Sequence, residues 1–409
     1  MKVVVVGSGG REHGLALALG RTADVVVTPG NPGIPGSVAT PPEEIDADLF
    51  VIGPENLLAD GLADRLRAQG QRVFGPGVDG AQVEASKTFM KDLVSAAGVP
   101  TARYGTFTEI EPALAFLRTL PGLYVVKTDG LAAGKGVLVT DSLAEADADV
   151  RAKLSGASFG PAGQRVVIEE GMTGPEASVF VVCDGQRAVA LPPAQDYKRV
   201  GDGDTGANTG GMGAWSPFLG CPDDLAAVVV SDFVEPTLAA LRERGIDFRG
   251  VLYTGLMLTP EGPKLIEYNV RFGDPDSQVV LLRLTSDLTE LLAAAADGDL
   301  RRAGPVTATE DVVVLVVAAS EGYPAAPRTG DVIVGIEEAR SIGGAEVLCA
   351  GVALDPEGHL VTAGGRVLDV VGRGPDASLA RRQAYVALSN ISWPGMHHRR
   401  DIAVPVAPG

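Results

Sequence analysis

Glu267, Asn269 and Arg271 alternate through the segment LIEYNVRFGDPDSQ, residues 265–278. A strand has a two-residue period, so extended chain here sends Leu265, Glu267, Asn269 and Arg271 to one face and Ile266, Tyr268, Val270 and Phe272 to the other. Burying a carboxylate, an amide and a guanidinium without partners costs roughly several kcal/mol, so such a face needs a task. Glu267 and Asn269 offer hard oxygen ligands of the kind that hold magnesium together with phosphate oxygens and water. Arg271 suits a phosphoryl group carrying transition-state charge. The structural alternative is a half-exposed edge face, or an internal Glu267–Arg271 ion pair ahead of the GDPD turn. The apolar alternate face favours a central strand over an edge.

Other segments offer places for anions. GSGGREHG (7–14) follows an apolar run and opens a helix, so backbone N–H groups and the positive helix end can hold a phosphate. A dinucleotide fingerprint needs a glycine where Glu12 stands and an acid where Thr28 and Pro29 stand, which disfavours a nicotinamide cofactor. Arg11 tips this turn towards a phosphate, with a tight turn serving only the fold as the alternative. KTDGLAAGKGV (127–137) is not a P-loop, because Gly130 and Gly134 are too close and Gly136, not Ser or Thr, follows Lys135. As a glycine-rich hairpin it can still close over a triphosphate with Lys127 and Lys135, or simply be a mobile hairpin with solvated lysines. In VVIEEGMTGPEAS (166–178), Glu169 and Glu170 end a strand and Glu176 follows a turn. This is either a solvated edge or a linker whose main chain pairs with adenine while Glu176 takes ribose hydroxyls. GDGDTGANTGGMG (201–213) has six glycines and sits beside Asp196, Lys198, Arg199, Asp202 and Asp204, which suits a substrate loop better than a linker.

These segments must be positioned by several domains, because 409 residues exceed one compact core. Residues 1–75 alternate apolar runs (3–6, 25–27, 49–52, 73–74) with helical stretches from Arg11 and near 59–69, implying a covered parallel sheet. Helices are expected at 86–97, 142–153, 223–244 and 376–389, and a hairpin turns at TPEGP (259–263). The expected division is an N-terminal doubly wound domain (1–103), a connecting segment of the central domain (104–121) and a small α+β lid (122–190). A central domain with the metal strand (191–320) and a β-rich C-terminal domain (321–409) follow. Hydrophobic residues at 45 % and charged ones at 21 % suit a soluble globular protein. The net charge of −18 argues against nucleic-acid and anionic-membrane partners, and no run suits a membrane span, so a cytoplasmic protein is expected. Cys183, Cys221 and Cys349 give no disulfide or metal spacing and read as structural thiols. His397 and His398 read as a surface pair.

The motifs GSGGREH, KTDGLAAGKGV, QDYKRVGDGDTGANTGGMGAWSP and IEYNVRFGDPDSQ occur in an order and spacing that resembles the phosphoribosylamine-glycine ligase (glycinamide ribonucleotide synthetase) family. These are ATP-grasp enzymes of de novo purine synthesis, and the resemblance runs through ISWPGMHHRRDIA. It implies a multidomain α/β ATP-grasp fold, with ATP and Mg2+ or Mn2+ as cofactors and glycine and 5-phosphoribosylamine as substrates. The implied route is attack of the glycine carboxylate on ATP to give glycyl phosphate, followed by displacement of phosphate by the amine. By the same resemblance, Glu267 and Asn269 hold the metal, and Lys87, Lys127, Gly134 and Lys135 face the ATP phosphates. Glu169, Glu170 and Met172 are the adenine linker, with Glu176 on the ribose. Arg271, Asp274, Asp196 and Asp204 serve glycine and the reacting centre. Gly10, Arg11, Asn31, Glu55 and Lys198 complete the substrate side. Two positions depart from the family pattern: Thr128 stands in place of alanine, and Gly171 in place of a bulky apolar residue. A related ATP-grasp carboxylase or formate-using ligase of the same pathway, and a nucleotide-sensing module without turnover, are the rival readings. The expected assembly is a monomer or weak dimer.

Overall fold

In the computed structural model, which describes residues 1–130, 136–156 and 164–404, the valines at 3–6 are wholly buried in the strand Lys2–Gly7. That strand lies between the parallel strands Asp24–Pro29 and Leu49–Ile52, with Val73–Phe74 beyond. Val4 and Val6 feed one hydrophobic core and Val3 and Val5 another, as a sheet covered on both faces requires. The helix expected near 59–69 is two helices, Glu55–Ala59 and Leu62–Ala68, parted at Gly61, whose φ of 78° is the left-handed conformation that glycine adopts without strain.

A second, antiparallel sheet runs in the order Tyr104–Phe107, Val166–Glu170, Tyr124–Thr128, Val137–Thr140. The helices Ile110–Leu117 and Leu143–Leu154 cover it, burying Leu114, Leu117, Val126, Val150 and Ile168 in a core of their own. Sheet membership therefore differs from the expected division. Residues 104–117 belong to the small unit, whereas Glu176–Asp184 and Ala188–Ala190 belong to the central sheet. Strand pairing between residues some sixty positions apart is set by packing, which the four-residue run YGTF does not reveal.

The central sheet is antiparallel, ordered Ala188–Ala190, Glu176–Asp184, Arg249–Thr259, Gly262–Asn269. The segment carrying Glu267 is thus the edge strand, not the central one its apolar residues suggested. Its open side is covered locally: Leu265 donates its N–H to the Pro100 carbonyl at 2.8 Å, and Thr101 Oγ1 donates to the Leu265 carbonyl at 2.7 Å. Covering an edge in this way satisfies its backbone groups as a further strand would.

The stretch 195–217, which includes the expected substrate loop 201–213, contains the strands Gln195–Asp196, Arg199–Gly201, Thr205–Asn208 and Gly213–Ser216. The first and last join a five-stranded sheet with Val312–Ala319, Arg366–Gly374 and Ala345–Cys349. The helix Ala377–Leu388 lies so close to this sheet that a Cβ on Gly372 would fall 2.1 Å from the Ala380 carbonyl oxygen. The helix expected at 223–244 is interrupted by a π-helical stretch, Val229–Val234, just before Pro236. Pro236 has no N–H to donate into the preceding turn, which favours the wider winding there. Among the described residues no helix is long and apolar enough to cross a membrane.

The first and last sheets meet at Gly10. A Cβ there would lie 1.9 Å from Asp369 Oδ2 and 3.2 Å from Gln278 Nε2, so the helix Gly10–Leu19 can start against Asp369 only with glycine in place. Gly10→Ala is therefore expected to lose about 1–3 kcal/mol of stability through overpacking. Urea unfolding of the two proteins measures this, and equal midpoints would show that the contact yields without cost.

Candidate active site

The strand Gly262–Asn269 does not keep the alternation expected from its sequence. Gly255 faces Glu267 and Leu256 faces Leu265, so Ile266 is an extra residue in a bulge. A bulge shifts the phase of a strand and re-aims its side chains. Leu265, Tyr268 and Val270 all enter the same core, while Glu267 and Asn269 stay half-buried. The carbonyl of Ile266 points out of the ladder and accepts from Lys127 Nζ at 3.4 Å.

Arg271 lies just beyond the strand and does not pair with Glu267. Its Nε meets Glu55 Oε2 at 3.2 Å, its Nη2 meets Glu84 Oε1 at 3.1 Å, and its Nη1 donates to the Phe272 carbonyl at 3.3 Å. Burial disfavours the guanidinium charge, yet Glu84 and Glu55 more than offset that and raise its pKa. Burial likewise pushes Glu84 up despite Arg271, whereas at Glu55 the pull of Arg271 and Arg11 overcomes burial and the pKa falls. Glu84 Oε2 also accepts the Val270 N–H at 2.8 Å. With the Asn269 amide turned so that its nitrogen donates to Glu84 Oε1 and the Tyr268 carbonyl, both at 3.2 Å, its oxygen is left for a cation. Glu267 makes no ion pair among the described residues; at nearby Lys87 burial lowers the pKa, against the pull of Glu267. A free carboxylate beside a free amide oxygen fits magnesium. Among the described residues no group of three or more His, Cys, Asp or Glu could hold a metal, so phosphate oxygens would have to complete the coordination here.

Lys127 and Lys91 share one buried carboxylate. Glu169 Oε1 lies 2.7 Å from Lys127 Nζ and Oε2 lies 2.8 Å from Lys91 Nζ, which also donates to Thr101 Oγ1 at 2.7 Å. Burial brings Lys91 down to about 8, against the pull of Glu169. Burial opposes the Glu169 charge too, but the two lysines win and lower its pKa. Lys87 Nζ donates to the Gly130 carbonyl at 2.9 Å. Gly134 and Lys135 lie outside the described residues.

The residues between Glu170 and Glu176 carry the chain from the small sheet to the central one, as expected of a linker between two lobes. Glu170 Oε1 accepts the Arg103 N–H at 3.0 Å, and Met172 makes no backbone hydrogen bond among the described residues. A Cβ on Gly171 would fall 2.0 Å from Leu123 Cγ. Leu123 thus fills the space that a bulky residue at 171 would take.

Beyond the linker, Lys198 Nζ lies 2.9 Å from both carboxylate oxygens of Asp196 and 3.0 Å from Glu176 Oε2. Lys198 is raised well above its ordinary range by Asp196 and Glu176, which outweigh its burial, while burial raises Asp196. Asp276, also buried, is pushed up to about 7 by burial and by Asp196. Asp274 Oδ1 accepts from Gln278 Nε2 at 2.7 Å, and Oδ2 lies 2.9 Å from Arg366 Nη2. Arg366 also donates to the carbonyls of Gly210 and Asp274, both at 2.8 Å, joining the glycine-rich loop to the turn after Arg271.

Several expected substrate residues are already engaged. Arg11 Nε pairs with Glu12 Oε1 at 2.6 Å and its Nη1 donates to the Phe272 carbonyl at 3.2 Å. Asn31 Nδ2 donates to the carbonyls of Ser8, Cys349 and Ala350, and its Oδ1 accepts from Gly33 N–H. Gly10 faces Asp369, and Asp204 pairs with Arg399 at 2.7 Å instead of joining the Asp196–Lys198 group. His397 is not a bare surface pair with His398, because its Nε2 lies 2.8 Å from the Val200 carbonyl. Glu84, Lys91, Asp276 and Arg366 were missed in the sequence. Glu84, Lys91 and Arg366 are ordinary charged residues whose partners are remote in the chain, and nothing local marks them; Asp276 lies within the RFGDPDSQ motif but was given no role.

The chain matches the family descriptions "Phosphoribosylglycinamide synthetase, N domain" over residues 1–84, "ATP-grasp (A) domain" over 85–277 and "C domain" over 313–405. It is 48 % identical to the phosphoribosylamine–glycine ligase of Caulobacter vibrioides, with 98 % of this chain and 97 % of that protein covered. It is 46 % identical to the enzyme of that name from Mycobacterium tuberculosis, covering 100 % of this chain and 99 % of the other. The crystal structure of the phosphoribosylamine–glycine ligase of Thermotoga maritima superposes with a TM-score of 0.85 at 34 % identity, covering 98 % of this chain and 100 % of that one. Biotin carboxylase from Campylobacter jejuni, at 14 % identity and a TM-score of 0.71 over 97 % of this chain and 92 % of that one, shares the fold.

The Lys91–Glu169–Lys127 group makes a pH-dependent prediction. The folded pKa of Glu169 lies below its ordinary 4.5, so its contribution is present above that value and is lost as the pH falls through the folded one. Glu169→Gln is expected to lose about 3–5 kcal/mol at neutral pH, because two buried ammonium groups lose their partner. Its melting temperature should also fall less steeply on acidification than that of the wild type. Thermal melts between about pH 3 and pH 7 check this, and parallel curves would show that Glu169 does not titrate with folding.

Proposed function

We infer that the chain, which belongs to the phosphoribosylglycinamide synthetase family, joins glycine to 5-phosphoribosylamine at the expense of ATP, giving glycinamide ribonucleotide, ADP and phosphate. The observation that carries this is the set Glu267, Asn269 and Arg271, held near Lys87 and Lys127 in a chain that aligns with a phosphoribosylamine–glycine ligase over 97 % of that protein. A carboxylate oxygen of glycine attacks the γ-phosphorus of ATP, the bond to the bridging oxygen breaks, and ADP leaves. The amine nitrogen of phosphoribosylamine then attacks the acyl carbon of glycyl phosphate, phosphate departs with the bonding pair, and the nitrogen gives up a proton. No nucleophilic side chain is needed; positioning and charge neutralisation supply the rate.

Lys127 and Lys87 draw the phosphates to the cleft between the small and central sheets. The linker takes adenine through its free main chain at Met172, and Glu176 takes the ribose. Glu267 and Asn269 would hold magnesium, or manganese, which accepts the same oxygen ligands. Such an ion, when bound, neutralises phosphate charge. Arg271 stabilises the phosphoryl group in flight, with Glu84 and Glu55 fixing its fork. Asp196, Lys198 and Asp274 serve the glycine side, while Arg11 after the N-terminal turn and Glu55 at the start of its helix serve the sugar-phosphate side. The protein acts on small molecules in the cytoplasm, as a monomer or weak dimer.

ADP release is the test, with freshly generated phosphoribosylamine and glycine, bicarbonate or formate in turn. Strict dependence on glycine and the amine is expected; turnover with bicarbonate or formate alone would reassign the substrate. Glu267→Gln should lower kcat/KM by about 10–100-fold at ordinary magnesium, with partial recovery when magnesium is raised. Arg271→Lys should lower kcat by about 10²–10³-fold with little change in the KM for ATP, because a point charge does not reproduce the guanidinium fork.

A further inference from the structure

Asp196, Tyr197 and Lys198 are consecutive, and the outer two form one ion pair while the residue between them goes elsewhere. Asp196 and Lys198 meet on the side facing Glu176. The Tyr197 ring lies under the guanidinium of Arg399, 4.9 Å from its carbon, and the phenol oxygen accepts the Ala403 N–H at 2.9 Å. The backbone of Tyr197 is also fixed, its N–H donating to the Gly213 carbonyl at 2.9 Å and its carbonyl accepting from Met212 at 2.7 Å.

Arg399 is a costly residue to place there, because its side chain is only 1 % exposed. Its donors are nevertheless well used. Nη1 reaches Asp204 Oδ1 at 2.7 Å and the Arg199 carbonyl at 3.1 Å, and Nε and Nη2 grip the Asp401 carboxylate at 2.8 and 2.6 Å. The same segment holds the hairpin that follows Lys198 at three more points. His397 Nε2 lies at the Val200 carbonyl, the Arg400 N–H donates to Asp202, and Gly203 N–H donates to Asp401. The segment is itself tied to the helix Ala377–Leu388, through Tyr385 donating to the Arg399 carbonyl at 2.8 Å and Arg381 donating to the Ile402 carbonyl at 3.0 Å. The segment also pairs with the sheet, His397 and Ala319 exchanging N–H to carbonyl bonds at 2.9 and 2.8 Å, so it ties Tyr197 and residues 199–204 to a fixed base.

We propose that residues 397–403 are a strap that fixes the Asp196–Lys198 pair for the glycine side of the reaction by bracing Tyr197 from behind, with Arg399 as its positioning residue. The proposal rests on the function inferred above. It also gives Asp204 a place: that carboxylate serves the site through Arg399 and not by touching the substrate.

The test compares Arg399→Met, Arg399→Lys and Tyr197→Phe with the wild type, reading KM for glycine and for ATP separately. Arg399→Met should raise the glycine KM by about tenfold or more while the ATP KM stays within about twofold, with Arg399→Lys in between. Equal rises in both KM values, or a lower melting temperature with both unchanged, would overturn the strap. Should Arg399→Met not fold, Tyr197→Phe, which keeps the ring but loses the Ala403 bond, decides by the same split. A wild type without glycine-dependent ADP release would sink the assigned reaction instead. In that case amide hydrogen exchange at 196–198 reads the strap directly: faster exchange in Arg399→Met upholds it and unchanged exchange overturns it.

Discussion

The charge balance around Arg271 governs the site. One guanidinium stands between two carboxylates that come from separate parts of the chain: Glu55 opens a helix of the N-terminal unit, and Glu84 lies on the helix Val78–Ala85. The arginine therefore joins the N-terminal unit to the end of the strand Gly262–Asn269, and the two pairs hold its position. Glu84 does further work, because the same carboxylate sets the Asn269 amide and caps the Val270 N–H. Holding a charged group in place beforehand removes reorganisation from the reaction step. Under the reaction proposed above, an incoming phosphoryl group would have to compete with Glu55 and Glu84 for the guanidinium. A doubly paired arginine is thus restrained in the resting protein and most useful to a ligand with more negative charge than either carboxylate.

The overall acidity of the chain hides this local arrangement. A protein of net charge −18 gathers Lys87, Lys91, Lys127 and Arg271 in one neighbourhood through Glu84, Glu169 and Glu267. Each is buried or half-buried, and each meets an acid or a carbonyl oxygen. The lysines are therefore kept at defined places without drawing anions elsewhere on the surface, where acidic residues dominate.

Much of the fold was readable because periodicity reports local structure. The valine run, the parallel pattern of the first seventy-five residues, the hairpin at 259–263 and the helices near 86–97 and 376–389 all appear as their sequences imply. What escaped was non-local. Nothing in LIEYNVRF announces a bulge at Ile266, since a bulge is defined by the register of Arg249–Thr259 alongside. Nor does it announce an edge strand covered by Pro100 and Thr101. The site shows the same divide. Residues carried by a motif, such as Glu267, Asn269 and Lys127, are found together, whereas Glu84, Lys91 and Arg366 act through partners that only folding supplies. Asp204 shows a different divide: the family resemblance implied a place for it at the reacting centre, whereas in the fold its carboxylate pairs with Arg399.

The five-stranded sheet has a bearing on how the protein is made. Gly213–Ser216 pairs with Val312–Ala319, whose residues are synthesised about a hundred positions later. At a translation rate of roughly 5–20 residues per second, the earlier strand waits about 5–20 s beside the ribosome with one edge unpaired. The hairpin at 199–208 waits longer still, until residues 397–401 emerge to hold it. Its glycines and charged side chains leave this waiting segment with little apolar surface and a soluble edge, so the composition that suits a substrate loop also guards the nascent chain against aggregation.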